Sequence, residues 1–173
     1  RQPNNRDRHR RLRDDLTKLA NLQLDLGAPA SARQAYNDVF VADQRWLNIM
    51  REIYMKASTD SNKNDLAQAY GDAGWHGLLA GRAKEAMPFT EAALALRPET
   101  PWVIVNLGHA YLFLGRYAEA LEQFRSVRDR DRGNDGKRKY AHEIKDDFVL
   151  FRRLGLALAE MDRVERDLGL AAF

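Results

Sequence analysis

Apolar residues recur along most of this chain at three- and four-residue steps, the period of a helix with one buried face. Leu12, Leu16, Leu19 and Leu26 form a first stripe over about 12–26, stopped by Gly27-Ala28-Pro29. A second starts near Ala30 with Ala32, Ala35, Tyr36, Val39 and Phe40, and its rhythm continues through Trp46, Leu47, Met50, Ile53 and Tyr54. Either one helix runs on to about residue 57, or Asp43 caps a separate helix. The breaker-rich run STDSNKND over 58–65 predicts a loop. Further helices are predicted over about 64–80, 83–97, 101–114, 117–131, 138–154 and 157–169, with another loop at 131–137. Strand-like alternation is almost absent, so the fold class is all-α, with about seven or eight helices.

The helices come in similar pairs. Residues 101–132 carry Leu107-Gly108, Tyr111, Gly115, Tyr117, Ala120 and Phe124, and a step of 34 residues upstream recovers Gly74, Gly81-Arg82, Glu85-Ala86, Ala93 and Pro98. GRAKEAM at 81–87 and GRYAEAL at 115–121 are nearly one heptad. Gly108 and Ala120 stand where paired helices cross closely, and Gly115 where a left-handed C-cap favours glycine. Tyr111, Tyr117 and Phe124 supply bulk for the seam. One such hairpin cannot bury its apolar face alone, so neighbours are needed.

These offsets resemble the tetratricopeptide repeat. The resemblance is strong over 67–132 and partial on either side, giving repeats at about 13–46, 67–100 and 101–134, a degenerate cap at 138–170 and an insertion at 47–66. It implies an α-solenoid of antiparallel hairpins wound as a right-handed superhelix, a single domain over 12–173, whose first-of-pair helices line a concave groove for an extended peptide or a partner helix. The matching groove positions are Gln68, Asp72, Trp75 and Leu79, then Trp102, Val105, Asn106 and His109. Asn106 stands where many members grip a ligand backbone, and Trp75 and Trp102 are natural anchors. Trp75, Leu78 and Phe113 could equally pack against the neighbouring helix. Gly71 and Trp75 occupy positions where chaperone-tail-binding members carry a lysine and an asparagine, so the two-carboxylate clamp is not implied.

Composition adds one correction. The net charge of the 173 residues is +3, but Arg1, Arg6, Arg8, Arg10, Arg11 and Arg13 face only Asp7 in the first thirteen positions. Basicity belongs to this end. Residues 1–11 lack any apolar side chain and read as a flexible basic arm. Such an arm, with Arg6, Arg8, Arg10, Arg11 and Arg13, could contact nucleic acid or an anionic membrane, yet no aromatic is interleaved for base stacking. The chain opens on Arg1 rather than Met, as a processed or excised piece would. No apolar run nears the roughly 18 residues of a membrane span, and nothing fixes a compartment, with the cytoplasm slightly favoured.

Candidate chemistry is sparse. With no cysteine there is neither a disulfide nor a thiol nucleophile. His76, His109 and His142 recur at a 33-residue step, but no pair has the i,i+3 or i,i+4 spacing that would gather ligands, so no metal site is expected. Phosphate-binding, hydrolase and metalloprotease motifs are missing, so neither catalysis nor a cofactor is expected. The reading that follows is a non-catalytic protein–protein interaction module: adaptor, scaffold or regulatory domain. Its alternative is a recruitment domain acting through the arginine-rich arm. A face on Trp46, Met50 and Tyr54 could make a homodimer as easily as cover its own core.

Overall fold

A computed structural model describes the backbone of residues 5–133 and 138–172 and the side chains from Asp7 onward within that span. Among these residues the regular elements are helices. They are α1 (Asn5–Asp25), α2 (Pro29–Lys56), α3 (Asp60–Leu79), α4 (Ala83–Leu96), α5 (Pro101–Phe113), α6 (Tyr117–Val127), α7 (Tyr140–Arg153) and α8 (Ala159–Asp167), with a short 3-10 turn at Leu170–Ala172. They pack as two compact units, Arg1–Pro98 and Glu99–Phe173. The break falls in the turn after α4.

Four hairpin turns share one design. Gly27, Gly81, Gly115 and Gly155 all have φ between 70° and 76°, a left-handed conformation that glycine adopts without penalty. The residue after each donates its N–H back across the turn: Ala28 to Gln23 O at 2.9 Å, Arg82 to Gly77 O at 2.8 Å, Arg116 to Tyr111 O at 2.9 Å, and Leu156 to Phe151 O at 2.9 Å. Each is the six-residue closure that satisfies a helix end. The turns at 27 and 155, whose flanking sequences match the repeat least, are therefore built like the two that match best.

In the first unit, α2 is one unbroken helix of 28 residues, and Asp43 lies fully buried inside it rather than capping a second. The expected loop at 58–65 shrinks to Ala57–Thr59, because Thr59 accepts the Asn62 N–H at 3.1 Å and starts α3 at Asp60. This extends α3 to 20 residues, so that it runs along the second half of the 28-residue α2. Trp46, Leu47 and Met50 consequently pack on Leu66, Ala69 and Ala73, with Tyr54 at the edge. The insertion covers its own core, so the dimer face suggested on Trp46, Met50 and Tyr54 is already occupied. Gly77 lets α3 approach α4; a Cβ there would lie 2.8 Å from that of Ala86.

In the second unit, Gly108 meets the ring of Phe124, which a Cβ would approach to 2.5 Å. The core gathers Phe124, Phe148, Phe151, Ile144 and Met161, all fully buried. After α6 the chain folds back on itself: Tyr140 donates to Arg130 O at 3.1 Å and Ala141 to Arg128 O at 2.9 Å, which postpones α7 to Tyr140.

Candidate protein-binding groove

Helix α1 begins at Asn5, well before the expected 12, so positions 5–11 of the expected arm are helical, and its positions 1–4 lie outside the described residues. Arginine is a good helix former and Asp7 sits in the positive first turn, which together offset the missing apolar side chains. The consequence is a wall. The first unit encloses an open groove of about 770 Å³ between α1 and α3. Asp7, Arg10, Asp14 and Thr17 form the α1 side; Asp65, Gln68, Asp72 and His76 form the α3 side; Trp46, Met50 and Ala69 form the floor. The α3 residues are spaced three or four apart and share one helical face.

A buried ionic cluster braces that groove. Asp43, on α2, is 0% exposed and accepts from two partners. Arg13 of α1 donates its Nε to Asp43 Oδ1 and its Nη2 to Asp72 Oδ2 at 3.0 Å. His76 of α3 meets Asp43 Oδ2 through Nδ1 at 2.7 Å; a carboxylate only accepts, so the ring proton sits on Nδ1. Gln68 completes the set by donating to Asp72 Oδ1 at 2.7 Å. Burial works against the Arg13 charge, but Asp43 and Asp72 outweigh it and hold its pKa above the ordinary arginine value. The guanidinium takes the place that a cation would need between these carboxylates. Three helices are thereby tied at one point, and the groove walls are fixed before any ligand arrives.

Arg13 is thus no part of a mobile arm, having only 12% of its side chain exposed. Arg8 and Arg11 are exposed, Arg10 faces the groove, and the Arg6 side chain lies outside the described residues. Of the eight groove positions implied by the repeat pattern, Gln68 and Asp72 line this groove. Trp75 and Trp102 are half-buried. Leu79, Val105, Asn106 and His109 are buried, Val105 and His109 completely. His109 donates through Nε2 to Asp147 Oδ2 at 3.0 Å, and its ring lies 5.0–5.4 Å from those of Phe124, Phe148 and Phe151. Helix α5 has neighbours in both α6 and α7, which leaves these side chains little free surface. The evenly spaced histidines do not act together: His76 and His109 pair with aspartates in different units, and His142 accepts the Lys139 N–H at 3.1 Å at the start of α7.

Arg13, Asp43 and His76 were not legible as a group. One signal did exist: Asp43 continues the buried stripe Val39, Phe40, Trp46, Leu47 and Met50, and a carboxylate in a core register demands partners.

Comparison with known proteins agrees with this architecture. Residues 77–141, from the end of α3 to the start of α7, match the family model described as a tetratricopeptide repeat. No curated protein matches the chain. Repeats of this family generally mediate protein–protein interaction. No helix among the described residues is long and apolar enough to cross a membrane.

Proposed function

We propose that this tetratricopeptide-repeat chain is a non-catalytic adaptor whose first unit holds an extended segment or helix of a partner protein between α1 and α3. The observation that carries the reading is the groove itself. Its volume of about 770 Å³ falls within the roughly 300–1,000 Å³ of ligand-binding clefts. Its walls offer amide, carboxylate and imidazole groups, and its rigidity lowers the entropy lost on binding. Gln68 and Asp72 are the central contacts. Their Nε2–Oδ1 hydrogen bond turns one carboxylate oxygen inward, while both side chains keep a solvent-facing edge.

The test begins with peptides selected on the chain from a random display library. Calorimetric titration of the tightest should show about a tenfold loss or more, ~1.4 kcal/mol, with Gln68→Arg. That change fills the groove without touching Arg13, Asp43 or His76. Unchanged affinity in a folded variant would move binding off this surface.

A further inference from the structure

Helix α1 presents a second face. Leu12, Leu19 and Leu22, with Leu26 one residue past the helix end and still bonded to Leu22 O, are 43%, 44%, 56% and 74% exposed. At 100° per residue they span an arc of about 80°, roughly half a turn away from the Asp14 and Thr17 side that faces the groove. The other exposed large apolar side chains, Val41, Met55, Leu114 and Val149, are scattered over α2, the α5–α6 turn and α7.

The repeat register shows what such a face is for. Aligning Gly27 with Gly81 places Leu12, Asp15 and Leu19 on Leu66, Ala69 and Ala73. Those α3 residues are buried against Trp46, Leu47 and Met50 of the helix before them. In α3 this face packs on an antiparallel neighbour; in α1 it meets solvent.

We propose that a second copy of the chain covers it, α1 against α1, antiparallel about a two-fold axis. Two features select that occupant. The first is self-complementarity: setting Leu12 against Leu26 brings Leu19 against itself and Leu22 against Leu16. The same register places the polar break at Asp15 opposite Gln23, whose amide can donate to a carboxylate. The second is charge. Exposed Arg8 and Arg11 lie in the first half of the helix, and exposed Asp25 lies at its negative C-terminal end. An antiparallel pair sets each basic half beside the other copy's acidic end, whereas a parallel pair stacks like on like. A two-fold contact also closes on itself as a dimer. One helix pair is a small interface, below the roughly 1,200–2,000 Å² of stable complexes, so association is in the micromolar range.

Sedimentation equilibrium of the whole chain should show monomer at about 1 µM and mostly dimer at about 100 µM. The double variant Leu19→Glu/Leu22→Glu should stay monomeric with unchanged helicity. Arg11→Glu and Asp25→Arg should each weaken self-association about tenfold. Mixing those two variants should restore it, because each then faces an opposite charge. A wild-type chain that stays monomeric at the higher concentration leaves the leucines to a different protein's helix and overturns the proposal. So does a dimer that persists with both glutamates, or a mixture that does not recover.

Discussion

Each unit sets a histidine on an aspartate from another helix, and the two pairs sit in different electrostatic company. In the first unit Asp43 is answered by His76 and by Arg13, which also reaches Asp72. In the second, Asp147 meets His109 while Glu143 stands one turn away on the same helix. Arg132 pairs with Glu143, yet burial first and the Asp147 charge second still raise the Glu143 carboxyl above the ordinary carboxylate range. In the first cluster one guanidinium bonds both carboxylates, and the cluster borders a groove. In the second the Arg132 guanidinium pairs with Glu143 and leaves Asp147 to His109, which lies among phenylalanines. A buried carboxylate with a guanidinium on it acts as a brace, whereas one beside another carboxylate becomes a site of pH-dependent stability.

Breaking the brace should give the largest effect. Asp43→Ala leaves Arg13 buried beside a half-exposed Asp72 and removes the partner of His76. Loss of one member of a buried pair costs about 3–5 kcal/mol, so a thermal melt followed by circular dichroism should fall by many degrees. His109→Leu in the other unit removes one hydrogen bond from a mostly aromatic setting and should cost less. Equal losses in the two melts would show that the brace has no special standing.

Helix spacing separates the units next. Gly108→Ala drives a Cβ to 2.5 Å from the ring of Phe124, and Gly77→Ala drives one to 2.8 Å from Ala86 Cβ. Both sites must open, at about 1–3 kcal/mol each. The Gly77 change should be the harder to absorb per ångström, since the Ala86 methyl is fixed to the backbone, while a phenyl ring can turn. Melting temperatures unchanged in both would show that neither crossing is tight.

The Gly108 crossing was legible in the sequence, as were the glycine turns at 27 and 115, whereas Gly77 was not singled out. A positive φ demands glycine, and a close crossing demands a small residue, so both leave a mark at fixed offsets. The limits of the insertion were not. The run at 58–65 has the composition of a loop, but Thr59 starts a helix within it and the length of α2 gives that helix a surface to cover. The start of α1 was misread for a related reason: without apolar residues no period is visible, although nothing in those residues opposes a helix. Of the residues that line the groove of the first unit, Gln68 and Asp72 also stand at positions that the repeat pattern singles out. The Arg13–Asp43–His76 group joins residues 30 and 33 positions apart, a distance over which one sequence records no pairing.

The pH comparison should sharpen the contrast. A carboxyl whose pKa is higher in the folded than in the unfolded chain gives the native state an excess of bound protons between the two values. The stability contributed by Glu143 is therefore full below the unfolded value and lost as pH rises through the raised one. Melts across the carboxylate range and just above it should show that decline in the wild type and a flatter profile in Glu143→Gln. An identical slope in both would remove Glu143 from the account.

The smallest effect concerns Asn106, which the repeat pattern assigns to gripping a ligand and the structure buries to 4% exposure. Its Nδ2 is enclosed without a hydrogen-bond partner among the described residues. An unmet buried donor costs about 1–3 kcal/mol, and replacing the group with an apolar one of similar shape is nearly neutral or stabilising. Asn106→Leu should therefore leave the melting temperature level or slightly raised, and the affinity of a groove-selected peptide unchanged. Gln68→Arg, at the open groove of the first unit, should do the reverse: weaker binding at constant stability. The pair of measurements reads the two units against each other. Weaker binding with Asn106→Leu at unchanged stability would return Asn106 to the binding surface and show that α5 opens when a partner arrives.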